Sequence, residues 1–414
     1  MIKNRAYIFG AGASHSYNGS ISQVKPPLAK GFFKAFNKLK ISSDSYVRVG
    51  NIINYVRDTR DYKPEKFSTW DEDIESFLTE VDDLIFEQTK KNKGNATPSA
   101  EYLTLTKVYD QMIFLFTSVL NEIQNGKVCS NYSKLVRKIN EGDVLITFNW
   151  DTLLDRVLYE SKKWFIEDGY NLKFKGIFRD GWKQGDYTQK SKVNLLKLHG
   201  STNWLMPYYS IDFYKGIRTF ANKTIDESQH PIYCFHYYTK PYETYKNRSF
   251  NTHKYSPFSY YYYPPNIPIE PDSKANSKKY YKLLLGMYPD MPNYGQFDIQ
   301  PEIKESMPFI IPPVKHKNYG LVDGLINNIW EKAESCISKC DELYIIGYSF
   351  PQTDTRAWEL LENAFAKRNT YPKVVIVDPY PNSIAERFAK KFENLSDVSI
   401  FPITFDTFIA NDYI

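Results

Sequence analysis

No apolar run in this 414-residue chain approaches the roughly 18 residues that a bilayer-crossing helix needs. The first apolar stretch, Ala6 to Phe9, is cut off by Gly10. It is too short for a signal-peptide core and reads as the first strand of a cytoplasmic protein. Cysteine is scarce: Cys129, Cys234, Cys336 and Cys340 are too few and too scattered for a disulfide framework, so reduced thiols are expected. Cys336 and Cys340 are spaced CxxxC and no pair of CxxC motifs exists, so neither a structural zinc nor any other metal is expected. A GxxxxGK[ST] phosphate loop is also missing, which removes the usual basis for ATP hydrolysis. Neither sign of charge dominates, with 53 basic against 48 acidic residues and a net charge of +5. That balance gives no argument for direct nucleic-acid binding.

What the chain does contain is typical of a folded protein: 42% hydrophobic and 24% charged residues, with aromatics at 16%. At roughly 150 residues per domain, the length suggests two or three structural units. Five short apolar runs end in polar or glycine-bearing turns: Ala6–Phe9, Asp143–Phe148, Val193–Leu198, Glu342–Ile346 and Lys373–Val377. Such runs fit buried parallel strands, so the expected class is α/β with a Rossmann-like parallel sheet. Helical spacing over Asp71–Lys90 and Tyr102–Asn125 marks a helical insertion, and Ala357–Lys367 and Ser383–Glu393 complete late βα units. The middle is rich in Tyr and Pro, including Tyr260–Pro265, and reads as an irregular insertion. The organisation is therefore a nucleotide-binding core over 1–40, 141–206 and 314–414, a helical insertion over 41–140 and a Tyr/Pro-rich insertion over 207–313.

The residues that can carry chemistry follow the strands. Gly10, Ala11, Gly12, Ala13 and Ser14 form a glycine turn that either lets backbone N–H groups approach a phosphate or serves a tight turn. Asn149 and Asp151 place an amide and a carboxylate at the next strand end, where Asp151 also suits capping of a helix near Leu153. A histidine on an apolar face is more often a satisfied core residue, but His199, at a strand end beside Gly200, is read as solvent-accessible and able to move protons near neutral pH. Gly347 and Ser349 offer small donors, and Asp378 offers either a ribose ligand or an Asp-Pro turn. The tyrosines suit a core or a protein interface, and an oligomer is expected.

Taken in order, Gly10-Ala-Gly-Ala-Ser14, Thr147-Phe-Asn-Trp-Asp151, Lys197-Leu-His-Gly-Ser201, Gly347-Tyr-Ser349 and Asp378 resemble the NAD site of the sirtuin superfamily. The resemblance covers about residues 1–35, 141–205 and 315–400. Two departures separate the chain from protein deacylases: the glycine motif runs into His15-Ser-Tyr-Asn-Gly rather than a GIPDFR-type loop, and the zinc ribbon is missing. The chain looks instead like the sirtuin-like NAD hydrolases of bacterial anti-phage defence. That likeness implies NAD as substrate, a homo-oligomer, and a separately encoded partner, a HerA-type hexameric ATPase before an Argonaute. It also implies roles. The pyrophosphate lies over Gly10, Ala11, Gly12, Ala13 and Ser14. Thr147, Gly347, Ser349 and Asp378 complete the nucleotide site. Asn149 positions the nicotinamide ribose or the attacking water, Asp151 binds the carboxamide, and His199 acts as base or orients ribose hydroxyls. A non-catalytic NAD or ADP-ribose sensor and a deacylase are the competing readings.

Overall fold

The computed structural model describes residues 3–39, 50–60, 69–91, 99–124, 126–174, 188–208, 323–352 and 354–414. Between 176 and 314 it further describes 176–178, 182–183, 210–212, 217–219, 232–235, 267–269, 281–285, 303–312 and 314. The predicted tyrosine run Tyr260–Pro265 lies outside the described residues.

Six strands form one parallel sheet in the order Val398–Phe401, Lys373–Val377, Glu342–Ile346, Arg5–Phe9, Val144–Thr147, Asn194–Lys197. In chain order this is 6-5-4-1-2-3, the doubly wound arrangement whose crevice opens where the order reverses. That reversal lies between Arg5–Phe9 and Glu342–Ile346, which run parallel in register. The inner strands are buried along their whole length, as Val144–Thr147 and Glu342–Ile346 illustrate. This is why they read as continuous apolar runs rather than alternating ones. The sixth strand, Val398–Phe401, is half-buried at the edge and was not anticipated from the sequence.

At the reversal the turns that follow the two strands pack backbone against backbone. Gly10 N donates to the Ile346 carbonyl (3.1 Å), and Gly12 N donates to the Gly347 carbonyl (2.9 Å). Gly347 has φ +61°, and a Cβ added there would lie 2.4 Å from Ala13 N. A Cβ on Gly10 would lie 2.5 Å from the Gly347 carbonyl oxygen. Glycine is therefore required on steric grounds at both faces of the contact.

The helical insertion forms its own core. Helix Ala100–Gln124 packs against Ile74–Lys91 and Gly50–Arg60. Phe32, Phe33, Phe77, Val108, Met112 and Val119 are fully buried between these helices and the Phe32–Lys38 helix. Each such side chain contributes roughly 1.5–3 kcal/mol of burial free energy. Asp73, expected inside the first turn, instead caps it: its Oδ1 accepts the Glu75 and Ser76 N–H groups, both at 3.0 Å.

The middle segment departs from the irregular reading. Its described residues supply Tyr233–Phe235, Ile267–Ile269, Tyr281–Leu285 and Ile303–Ile310 to a seven-stranded mixed sheet. The remaining strands of that sheet are Gly200–Tyr208, Gly176–Phe178 and Trp182–Lys183. Pro207, Pro268 and Pro308 occupy paired positions in this sheet, and the register of Ile303–Ile310 with Gly200–Tyr208 shifts just after Pro308.

Replacing Gly347 by Ala should cost roughly 1–3 kcal/mol, the range for overpacking a close contact. Urea unfolding measures it, and an unchanged midpoint would contradict the backbone contact at the reversal.

Candidate functional site

The predicted site residues separate into three neighbourhoods at the carboxyl edge of the sheet. The first joins the glycine turn to the loop after Val144–Thr147. The Asn149 amide donates to the Gly10 carbonyl (2.8 Å) and to Ser14 Oγ (3.0 Å). Ser14 Oγ donates to Asp151 Oδ2 (2.7 Å) and lies 3.3 Å from the Tyr132 hydroxyl. Thr147 Oγ1 accepts the Asn149 N–H at 3.0 Å. Ser14 is thus a hub that the amide and the carboxylate both grip.

Asp151 uses both carboxylate oxygens: Oδ2 on Ser14 and Oδ1 on the Leu153 N–H (3.0 Å) at the start of helix Leu153–Glu160. The helix N-cap is Thr152, so Asp151 is not the cap expected of it but closes an Asx turn one residue ahead, alongside its bond to Ser14. Burial pushes this carboxyl above its usual range, opposed by the Lys197 charge and the Ser14 hydrogen bond. Lys197, wholly buried, donates to the Asp151 carbonyl (2.5 Å) and pairs with Asp155 at 3.2 Å. The Tyr170 hydroxyl donates to the other Asp155 oxygen. Sequence reasoning saw Lys197 only as part of a motif, because its partner Asp155 carries no local signal.

A small cleft of about 70 Å³ opens beside this network, below the roughly 300–1,000 Å³ of most small-molecule sites. Of the predicted site residues, Ala11, Ser14, Asn149 and Asp151 line it. The opposite wall comes from Pro26–Ala29 and from Ile74, Glu75, Phe116 and Leu120 of the helical insertion.

The second neighbourhood holds His199, and here the expectation of solvent access is overturned. His199 is only 4% exposed, because the chain turns directly from strand Asn194–Lys197 into strand Gly200–Tyr208 and carries it inward. Phe148 meets the imidazole edge-on (5.0 Å), Trp150 stacks on it (5.8 Å), and Trp330 lies at 6.4 Å. Trp150 also lines the cleft, so it belongs to both neighbourhoods. His199 Nε2 lies 3.2 Å from Asp354 Oδ2, and the Tyr348 hydroxyl donates to that same oxygen (2.5 Å). Asp354 escaped the sequence reading. It ends the run Gly347-Tyr-Ser-Phe-Pro-Gln-Thr-Asp354 at the head of helix Thr355–Ala366, where an acid reads as a cap.

The third neighbourhood comprises Gly347, Ser349 and Asp378. Arg387 clamps the first loop by donating to the carbonyls of Ser349 (2.5 Å) and Phe350 (2.6 Å). Asp378 Oδ1 accepts the Tyr380 N–H (2.8 Å), the turn geometry expected of Asp-Pro. Burial raises its carboxyl, and the Tyr380 N–H opposes that shift.

No family model matches the chain, and no curated protein matches it. Among the described residues, no group of three or more His, Cys, Asp or Glu side chains is arranged to hold a metal ion. No helix among them is long and apolar enough to cross a membrane.

The Lys197–Asp155 pair gives a direct energetic test. Lys197→Met alone leaves a buried carboxylate and should cost roughly 3–5 kcal/mol, whereas pairing it with Asp155→Leu should recover most of the loss. Chemical denaturation of the three chains decides it, and equal losses in single and double variants would contradict the pairing.

Proposed function

We propose that the chain is an NAD hydrolase of sirtuin-like type that releases nicotinamide and ADP-ribose, and that it depletes NAD as an anti-phage effector. The observation that carries this reading is the cleft at the carboxyl ends of Arg5–Phe9 and Val144–Thr147, next to the sheet reversal, where Ser14, Asn149 and Asp151 line one wall beside the glycine turn. Open α/β sheets bind ligands at that point. The five motifs that resemble the sirtuin NAD site all fall at the carboxyl edge of this same sheet.

In this reading the pyrophosphate rests against Gly10–Ser14, and Gly347, Ser349 and Asp378 face the adenosine ribose. The C1′–N bond breaks with its electron pair leaving on nicotinamide, through an oxocarbenium-like transition state. Asn149 holds the ribose and the attacking water, whose oxygen bonds C1′. His199 takes the water proton and passes it to solvent, so NAD and water yield nicotinamide, ADP-ribose and one proton. Acid–base help of this kind is worth roughly 10²–10⁴-fold.

His199 must then become reachable from the cleft, and it is the buried state of His199 that makes regulation part of the proposal. Self-assembly in the cytoplasm, or engagement by a HerA-type ATPase or an Argonaute, supplies the trigger. The same burial favours a second reading, an NAD or ADP-ribose sensor that binds without turnover.

Incubation of the full chain with NAD, alone and with its genomic neighbour, separates the two. The expected result is nicotinamide and ADP-ribose by liquid chromatography, lost in Asn149→Ala. Stoichiometric binding without products under both conditions would overturn the hydrolase in favour of the sensor.

A further inference from the structure

We propose that Asp354 is the positioning residue of His199: it fixes the imidazole's orientation and holds its proton. This rests on the hydrolase reading for its consequence in catalysis, but the pair itself stands on geometry. The two side chains meet at 3.2 Å with 5% and 1% of their surfaces exposed. A buried carboxylate is costly unless it is paired and hydrogen-bonded. Asp354 Oδ2 receives both, from His199 and from the Tyr348 hydroxyl at 2.5 Å. Tyr348 is itself held flat against Phe148, with ring centres 4.1 Å apart and planes 2° from parallel.

The position of Asp354 in its helix strengthens the assignment. It occupies the N-cap position of Thr355–Ala366, where an aspartate normally bonds a first-turn N–H, yet its side chain makes no capping bond. The carboxylate is turned inward to the imidazole instead. The His199 backbone is already fixed, since its carbonyl accepts the Ile311 N–H (2.8 Å) and the preceding Leu198 carbonyl accepts Trp330 Nε1 (3.2 Å). What remains for Asp354 to set is the ring. Nε2 is the ring nitrogen that Asp354 engages.

The electrostatic surroundings give the sign of the effect. Asp354 and Tyr348 face the ring from the loop after Glu342–Ile346. Arg356 lies over Trp330, 4.5 Å from the ring centre. Asp151 is directed to Ser14 and Leu153. A carboxylate beside an imidazole favours its charged form, so removing it lowers the proton affinity.

The test is a pH titration of the imidazole signals of the full chain by ¹⁵N–¹H NMR, with His199→Gln identifying the resonance. In Asp354→Asn, which is nearly isosteric, the His199 midpoint should fall by about one pH unit or more. In Tyr348→Phe the carboxylate loses a donor and keeps more charge for the imidazolium, so the midpoint should rise. Opposite shifts are not what a general loss of packing would give. In a chain that cleaves NAD, Asp354→Asn should lower kcat by roughly 10²–10⁴-fold with KM unchanged. An unmoved midpoint in Asp354→Asn overturns the pairing, and a moved midpoint with unchanged kcat overturns the positioning role. Absence of NAD cleavage by the parent chain, both alone and with its genomic neighbour, overturns the hydrolase reading instead, while the titration still decides the pair.

Discussion

The carboxyl edge of the sheet is organised by one close approach: the glycine turn after the first strand meets Gly347 after the fourth with no room for a side chain between them. That contact sits where the strand order reverses, so it fixes the floor of the crevice that doubly wound sheets use for ligands. Ser14, four residues past Gly10, is then within reach of Asn149 and Asp151 from the neighbouring strand. Lys197, from the strand beyond, reaches the Asp151 carbonyl. Three parallel strands are tied together at one end by a small set of polar side chains, most of them buried.

The helical insertion completes the cleft rather than merely decorating the core. Its helices bring Ile74, Glu75, Phe116 and Leu120 to the wall facing Ser14 and Asn149. Trp150 connects the units, packing edge-on against Phe116 (4.7 Å) and donating to the Ile311 carbonyl (3.1 Å) while it stacks on His199. A partner that moved either the insertion or the segment around Ile311 would therefore act on the residue covering His199. Packed aromatic rings thus connect the helical insertion to the imidazole.

The parallel strands were legible in the sequence because strands buried on both faces are short apolar runs, and each stopped at a residue of a different chemical kind. Helix Ile74–Lys91 was legible from its 3.6-residue spacing, with the cap at Asp73 displaced by only a few residues. The exposure of His199 was misjudged because a strand end is normally open, and nothing local shows that a second strand begins at Gly200. Asp354 was illegible for a different reason. Its partner lies far away in the chain, and its own neighbourhood looks like any helix start. The strands around Ile303–Ile310 were hidden by proline, which here occupies paired positions of the sheet. The Asp378 turn was foreseen as an alternative to ligand binding and its bond is present, whereas the cap expected of Asp151 falls to Thr152 and Asp151 forms a turn just ahead of it.

The central claim is that the cleft between the glycine turn and the helical insertion is the NAD site. A crystal structure of the chain with ADP-ribose tests it most directly. The account predicts the pyrophosphate against Gly10–Ser14 and the terminal ribose beside Asn149. ADP-ribose bound away from the sheet reversal, or failing to bind while the chain stays folded, would contradict it.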